Sequence, residues 1–328
     1  MKKKSTKNQS TNQSKNEKKD QPNQKLDLLL ENQPKINKNF QIGTYLTCTL
    51  KLSELKDYPK KLIYLDIKCI RIIFAEKTEF ITKFQKTTLQ FLENYISFLQ
   101  KKPIRNFATK THPIRMFIDK LRTKIIKKHP FLIKYFQFTE KIDHIDCQEV
   151  LNYLVERCLE RVVITPIHNP LITSFHLESI KEDYILDEKM KKLYKKPPQF
   201  FGVANKFLKI NWESPIEILS QFRICKFPFE FLDILINTAD RIYFTSKRQL
   251  ETLSQLNLEE NISKDDFSIT ADGFLPIFLY TLVQTKLSNL QTIQNFLLDL
   301  SDPRELSSEI GYYLTTYCSS LKFIRSYK

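Results

Sequence analysis

Two short stretches about forty positions apart hold the residues best suited to act on a partner. They are Ala271-Asp272-Gly273-Phe274-Leu275-Pro276 and Glu309-Ile310-Gly311-Tyr312-Tyr313-Leu314-Thr315. Asp272 stands just ahead of an apolar run, residues 274–284, that reads as a helix buried in a bundle, with Pro276 in its first turn, where a missing N–H costs nothing. A carboxylate at a helix mouth is stabilised by the free N–H groups and the helix dipole, so Asp272 reads as an N-cap. Anchored there, it can also be pushed into a partner. In the last helix, introduced by Gly311, Tyr313, Tyr317, Leu321 and Ile324 form one apolar stripe. Tyr312 and Thr315 fall off that stripe and are free to face a groove. The chemistry on offer is charge and contact.

Covalent chemistry finds no support. Glycines occur only at 43, 202, 273 and 311, so neither a Walker loop nor a dinucleotide fingerprint can be written. G-x-S-x-G and H-E-x-x-H are absent. His168 and His176 lie eight apart without a third ligand in register, and His144-Ile145-Asp146-Cys147 is an isolated cluster. No metal or cofactor is expected, and the chain does not read as a classical enzyme.

The elements that must position these residues read as helices. Four glycines in 328 residues, 41% hydrophobic and 12% aromatic, argue against turn-rich β architectures and for an all-α fold. The six cysteines contain no C-x-x-C pair and read as reduced, mostly buried thiols. The net charge of +15 suits an acidic partner, but much of it sits in the first 25 residues or so. Residues 1–38, rich in Lys, Asn, Gln and Ser, read as a disordered tail, with contact to an anionic membrane as the functional alternative to plain solvation. No signal peptide or membrane span is legible, so the chain is expected to be soluble.

Along the rest, residues 39–100 begin with strand-like alternation at 45–52 and an ambiguous run at 62–70, then end in a clear helix over 76–100. Further helices are expected from Pro113 to Pro130, over 131–138, and from an N-cap at Asp146 with Glu149 as its capping-box partner. Pro166 and Pro170 suggest a loop over 164–175, ahead of a charged helix at 179–194. Ser214, with Pro215 and Glu217, reads as the cap of a helix facing inward through Ile216, Leu219 and Phe222. Residues 229–244 are strongly apolar, and 245–268 read as a polar connection. The lysine runs at 124–128 and 189–196 read as solvated helix faces, with phosphate contact as the alternative.

In order, A-D-x-F-L-P-x-x-x-Y, S-N-L-Q-x-I, D-P-x-x-L-x-x-E-x-G-Y-Y-L-T and K-F-I resemble the VPS-nine (vacuolar protein sorting nine) domain. The likeness is close over about sixty residues, and weaker upstream through Trp212-Glu213-Ser214-Pro215. That family is the guanine-nucleotide exchange module for Rab-five-type small GTPases. The resemblance implies an all-helical layered domain at 201–328, with a helical bundle at 104–200 ahead of it. It implies that Asp272 is the acidic finger entering the GTPase nucleotide site, with Tyr312 as its working partner. Pro276, Thr315 and Glu309 match the remaining GTPase-binding positions. Exchange of this kind is a population shift in which no bond is made or broken. Departures are Gly273 in place of a second acidic residue, a shorter segment after Tyr280, and Glu217-Ile218 in the leading helix. The expectation is a cytoplasmic exchange factor, recruited peripherally to endosomal membranes and needing no cofactor or nucleic acid. The alternatives are an inactive Rab-binding scaffold of the same fold and a basic helical nucleic-acid-binding protein.

Overall fold

The computed structural model describes residues 86–95, 97, 112–128, 144–255 and 268–328. The expectations for 1–38, 45–52, 62–70 and 131–138 lie outside the described residues. Within them every long element is helical and no strand occurs, as the scarcity of glycine suggests. In chain order these are α1 (86–95), α2 (Pro113–Lys128), α3 (His144–Ile164) and α4 (His168–Leu193), then α5 (Glu213–Ser220) and α6 (Pro228–Gln255), then α7 (Ala271–Gln284), α8 (Leu290–Leu300) and α9 (Glu309–Ser326). Short 3-10 turns fill several of the joints between them.

One hydrophobic core runs through these helices. Helix α4 lies along α8 and also touches α9; α9 packs against α6 and α7, and α5 against α6 and α7. Helix α7 is central because it is apolar on most sides: Phe274, Ile277, Phe278, Leu282 and Val283 are all fully buried, and only its first turns, at Ala271, Asp272 and Leu275, are exposed.

Buried polar groups fix the joints between helices. Asn289 enters α8 with a left-handed backbone and gives it no side-chain cap. Asp183 of α4 supplies one instead, accepting from Gln291 N at 2.7 Å and from the Thr292 hydroxyl. At the other end of α8, the Arg115 guanidinium of α2 is buried among Asp119, Glu156 and Glu160, and donates to the Leu300 carbonyl at 3.4 Å. An arginine fork can serve several acceptors at once, which suits it to such a junction.

Several local expectations are corrected. Helix α3 starts at His144, with neither Pro nor Gly to stop it there, so Asp146 lies inside its first turn. Residues 164–175 are not a loop: a 3-10 turn, Thr165–Ile167, leads directly into α4. Pro170 is the third residue of α4, where its missing N–H has no partner to lose. Helix α5 starts at Glu213, with Trp212 and not Ser214 at its N-cap and no side-chain cap; Asn211, one residue earlier, accepts from the Glu213 amide at 2.9 Å. Helix α6 continues through 245–255 because Leu250 extends its buried stripe.

Candidate functional site

The mouth of α7 is capped by Thr270, not Asp272. Thr270 has extended backbone (φ −74°, ψ 164°), and its hydroxyl accepts from Gly273 N at 3.2 Å, the geometry of a threonine N-cap. Asp272 is thereby released from capping and becomes the second helical residue, exposed and still favoured by the positive end of the helix. Among the described residues no hydrogen bond or ion pair engages its carboxylate.

Pro276 is the sixth residue of α7, a turn deeper than expected, because the helix begins at Ala271. It can offer no N–H to the Asp272 carbonyl four residues back. Its ring packs toward Gly202, which closes the Pro198–Phe201 turn at a positive φ of 86°; a Cβ there would lie 3.9 Å from Pro276 Cγ.

Phe274 joins α7 to the second stretch. It is fully buried, two residues beyond Asp272, and its ring centroid lies 6.1 Å from Tyr312, 5.6 Å from Tyr313 and 5.4 Å from Tyr243 of α6. Such ring pairs hold one another in orientation beyond their area burial. Tyr312 keeps 43% of its surface exposed while its inner face rests on this cluster.

Helix α9 starts from Ser308, which accepts from Ile310 N at 3.4 Å. Glu309 then accepts from the Tyr313 hydroxyl at 2.7 Å. Burial and this carboxylate push the Tyr313 phenol well above its ordinary range. Burial, then Glu309, raises Asp240 of α6; burial, then Tyr312 and Glu309, raises Tyr243. The rings are therefore edged by two carboxylates, and the Tyr243 and Tyr313 phenols hold their protons more firmly, Tyr313 donating its own to Glu309. Gly311 is sterically required: a Cβ there would meet the Leu306 carbonyl oxygen at 1.9 Å. Thr315 donates to the Gly311 carbonyl at 2.8 Å and lines a cavity of about 370 Å³ between α8 and α9, with Leu298, Leu306 and Leu314.

Phe274 thus brings the Asp272 turn, Glu309 and Tyr312 together, whereas Pro276 faces Gly202 and Thr315 faces α8. Sequence reasoning missed Phe274 as the bridge, along with Asp240 and Tyr243. The one available signal was the apolar run over 229–244, in which Asp240 and Tyr243 are two of several polar-edged positions, with Glu230, Asp233, Asn237, Thr238 and Arg241. No group of three or more His, Cys, Asp or Glu suited to a metal occurs among the described residues. No described helix is long and apolar enough to cross a membrane.

Residues 212–328 match the Vacuolar sorting protein 9 (VPS9) domain family. The chain is 20% identical to Ras and Rab interactor 2 of Mus musculus over 249 residues, 72% of this chain and 24% of that protein. It is 25% identical to the Vacuolar protein sorting-associated protein vps901 of Schizosaccharomyces pombe over 174 residues, 47% of this chain and 24% of that protein. Alsin of Rattus norvegicus is 25% identical over 177 residues, 47% of this chain and 10% of that protein. The chain therefore spans about a quarter or less of the length of these curated relatives.

Proposed function

We propose, from the premise that residues 212–328 belong to the VPS9 domain family, that this chain is a guanine-nucleotide exchange factor for a Rab-five-type small GTPase in endosomal traffic. The observation that carries the reading is the Phe274–Tyr312 ring contact. It sets an exposed tyrosine beside the turn bearing an uncommitted carboxylate, Asp272. In this reading Asp272 enters the GTPase nucleotide site, competes with phosphate for the lysine there and disfavours the bound magnesium. Tyr312 orients that approach, and Glu309 and Thr315 contact the GTPase on either side. Pro276 acts from beneath, by holding the turn at Gly202. No bond changes: a ligand that binds the nucleotide-free GTPase better than the loaded one shifts the population toward release. The cytoplasmic face of endosomes is where such a factor would work. The test is release of fluorescent GDP from a panel of Rab proteins. The expected result is acceleration on at least one Rab-five-type member; binding without acceleration on any of them would leave only a scaffold.

A further inference from the structure

We propose that the C-terminal ends of α4, α7 and α9 together form a docking surface for an anionic lipid membrane. These three ends meet at one place. The Tyr194 carbonyl just after α4 accepts from Gln284 Nε2 of α7 at 3.4 Å, and Phe200 lies edge-on to Tyr327, just after α9, at 5.7 Å. The Asp272 and Tyr312 turns lie at the opposite ends of α7 and α9, roughly 20–27 Å away at about 1.5 Å per residue.

Two kinds of side chain cover this end. The first is cationic: residues 189–196, 285–287 and 322–328, at these three ends, carry nine Lys or Arg and no Asp or Glu, with Glu188 at the edge paired to Lys191 at 2.6 Å. Lysines in the last turn of α4 would complement its dipole in any protein. Lys195, Lys196 and Lys286 lie beyond the helix ends that such a role would serve. The second kind is aromatic and part-exposed: Tyr194 at 38%, Phe200 at 40% and Phe323 at 39%. The two kinds are interleaved, with Lys286 Nζ 4.0 Å over the Tyr194 ring and Lys196 Nζ 5.2 Å over Phe200. Lys286 takes this position with a left-handed backbone (φ 53°), a conformation that disfavours a side chain. Aromatic rings that settle at headgroup depth, ringed by lysines that meet anionic lipid, are the composition of an interfacial anchor. A nucleic-acid duplex offers phosphates to the lysines but keeps its base faces stacked, so it would leave the three part-exposed rings unused. The inference does not rest on the exchange reading.

The test is vesicle co-sedimentation of the full chain. Phosphatidylcholine vesicles with about one-fifth phosphatidylserine should pellet it, pure phosphatidylcholine should not, and binding should weaken as salt rises. The triple variant Lys195→Gln, Lys196→Gln, Lys286→Gln should bind more weakly, by roughly ten- to a hundredfold. A Phe200→Trp chain should shift its emission to the blue on anionic vesicles alone. Circular dichroism confirms that each variant is folded. Wild-type binding by the triple variant would assign the contact to the N-terminal lysines and overturn the proposal, as would an unshifted Phe200→Trp emission. Binding of a DNA duplex through these lysines, with vesicles ignored, would overturn it too.

Discussion

The two glycines of the candidate site should respond in opposite directions to the same substitution. At Gly311 a new Cβ would sit 1.9 Å from the Leu306 carbonyl oxygen and 2.7 Å from its carbon, both backbone atoms. Restoring ordinary contact, at about 3.4 Å, requires a displacement of about 1.5 Å between α9 and the turn before it. Overpacking of this kind costs about 1–3 kcal/mol, which for a domain of this size lowers Tm by about 3–10 °C. Tyr312 is the adjacent residue, and a misplacement of about 1 Å in a working group can cost about a hundredfold in rate. At Gly273 the corresponding Cβ would meet Thr270 Oγ1 at 3.4 Å and Ile269 Cγ2 at 3.6 Å, ordinary contacts in a helical backbone. Gly273→Ala should therefore stabilise by about 0.5–1 kcal/mol through the chain entropy removed. Calorimetry and GDP-release rates on both variants check the pair. A Gly311→Ala protein with wild-type Tm and rate would refute the close approach, and a destabilised Gly273→Ala protein would refute the fit.

Phe274→Leu keeps much of the buried volume but removes the ring contacts. It should cost about 1–2 kcal/mol by denaturant titration and slow exchange more than stability loss explains; equal loss of both would reduce Phe274 to packing. His112 caps α2 by accepting from Ile114 N at 3.3 Å, and burial lowers its pKa to about 4 from 6.5. A depressed folded pKa means stability present above pH 6.5 and lost as pH falls toward 4, up to about 3 kcal/mol. His112→Asn should flatten that part of the stability–pH curve, since an amide caps without titrating. An unchanged slope would place the acid sensitivity elsewhere. Thr270→Ala should cost about 1 kcal/mol in thermal denaturation as a lost cap; no loss would return the capping role to Asp272.

Helix type and burial were legible wherever an apolar stripe ran uninterrupted, as over 274–284 and from Tyr313 to Ile324. The helix starts were less so. Trp212, Thr270 and the first turn of α4 stand where Ser214, Asp272 and a loop were expected, because several residues near a helix start can offer a similar oxygen, as Asn211 and Thr270 do. Pro166 and Pro170 punctuate the sequence, yet a proline in a first turn breaks nothing. The cap that Asp183 gives α8 and the bond from Arg115 to the Leu300 carbonyl join residues more than a hundred positions apart, and no local pattern announces them. The off-stripe positions of Tyr312 and Thr315 were readable from helical period alone. The ring that couples Tyr312 to the Asp272 turn was not, since Phe274 reads as one more core residue until α6, α7 and α9 are assembled.

The central claim is that Asp272 acts by its charge at the mouth of α7. GDP release from a responsive Rab protein, catalysed by Asp272→Asn, tests it most directly, because the amide keeps the size and the exposed position. The account predicts a loss of about a hundred- to a thousandfold in catalysed release, the range for removing one positioned electrostatic contact, with a Tm lower by no more than about 4 °C, the share of the helix-dipole interaction that goes with the charge. Wild-type acceleration by Asp272→Asn would contradict it.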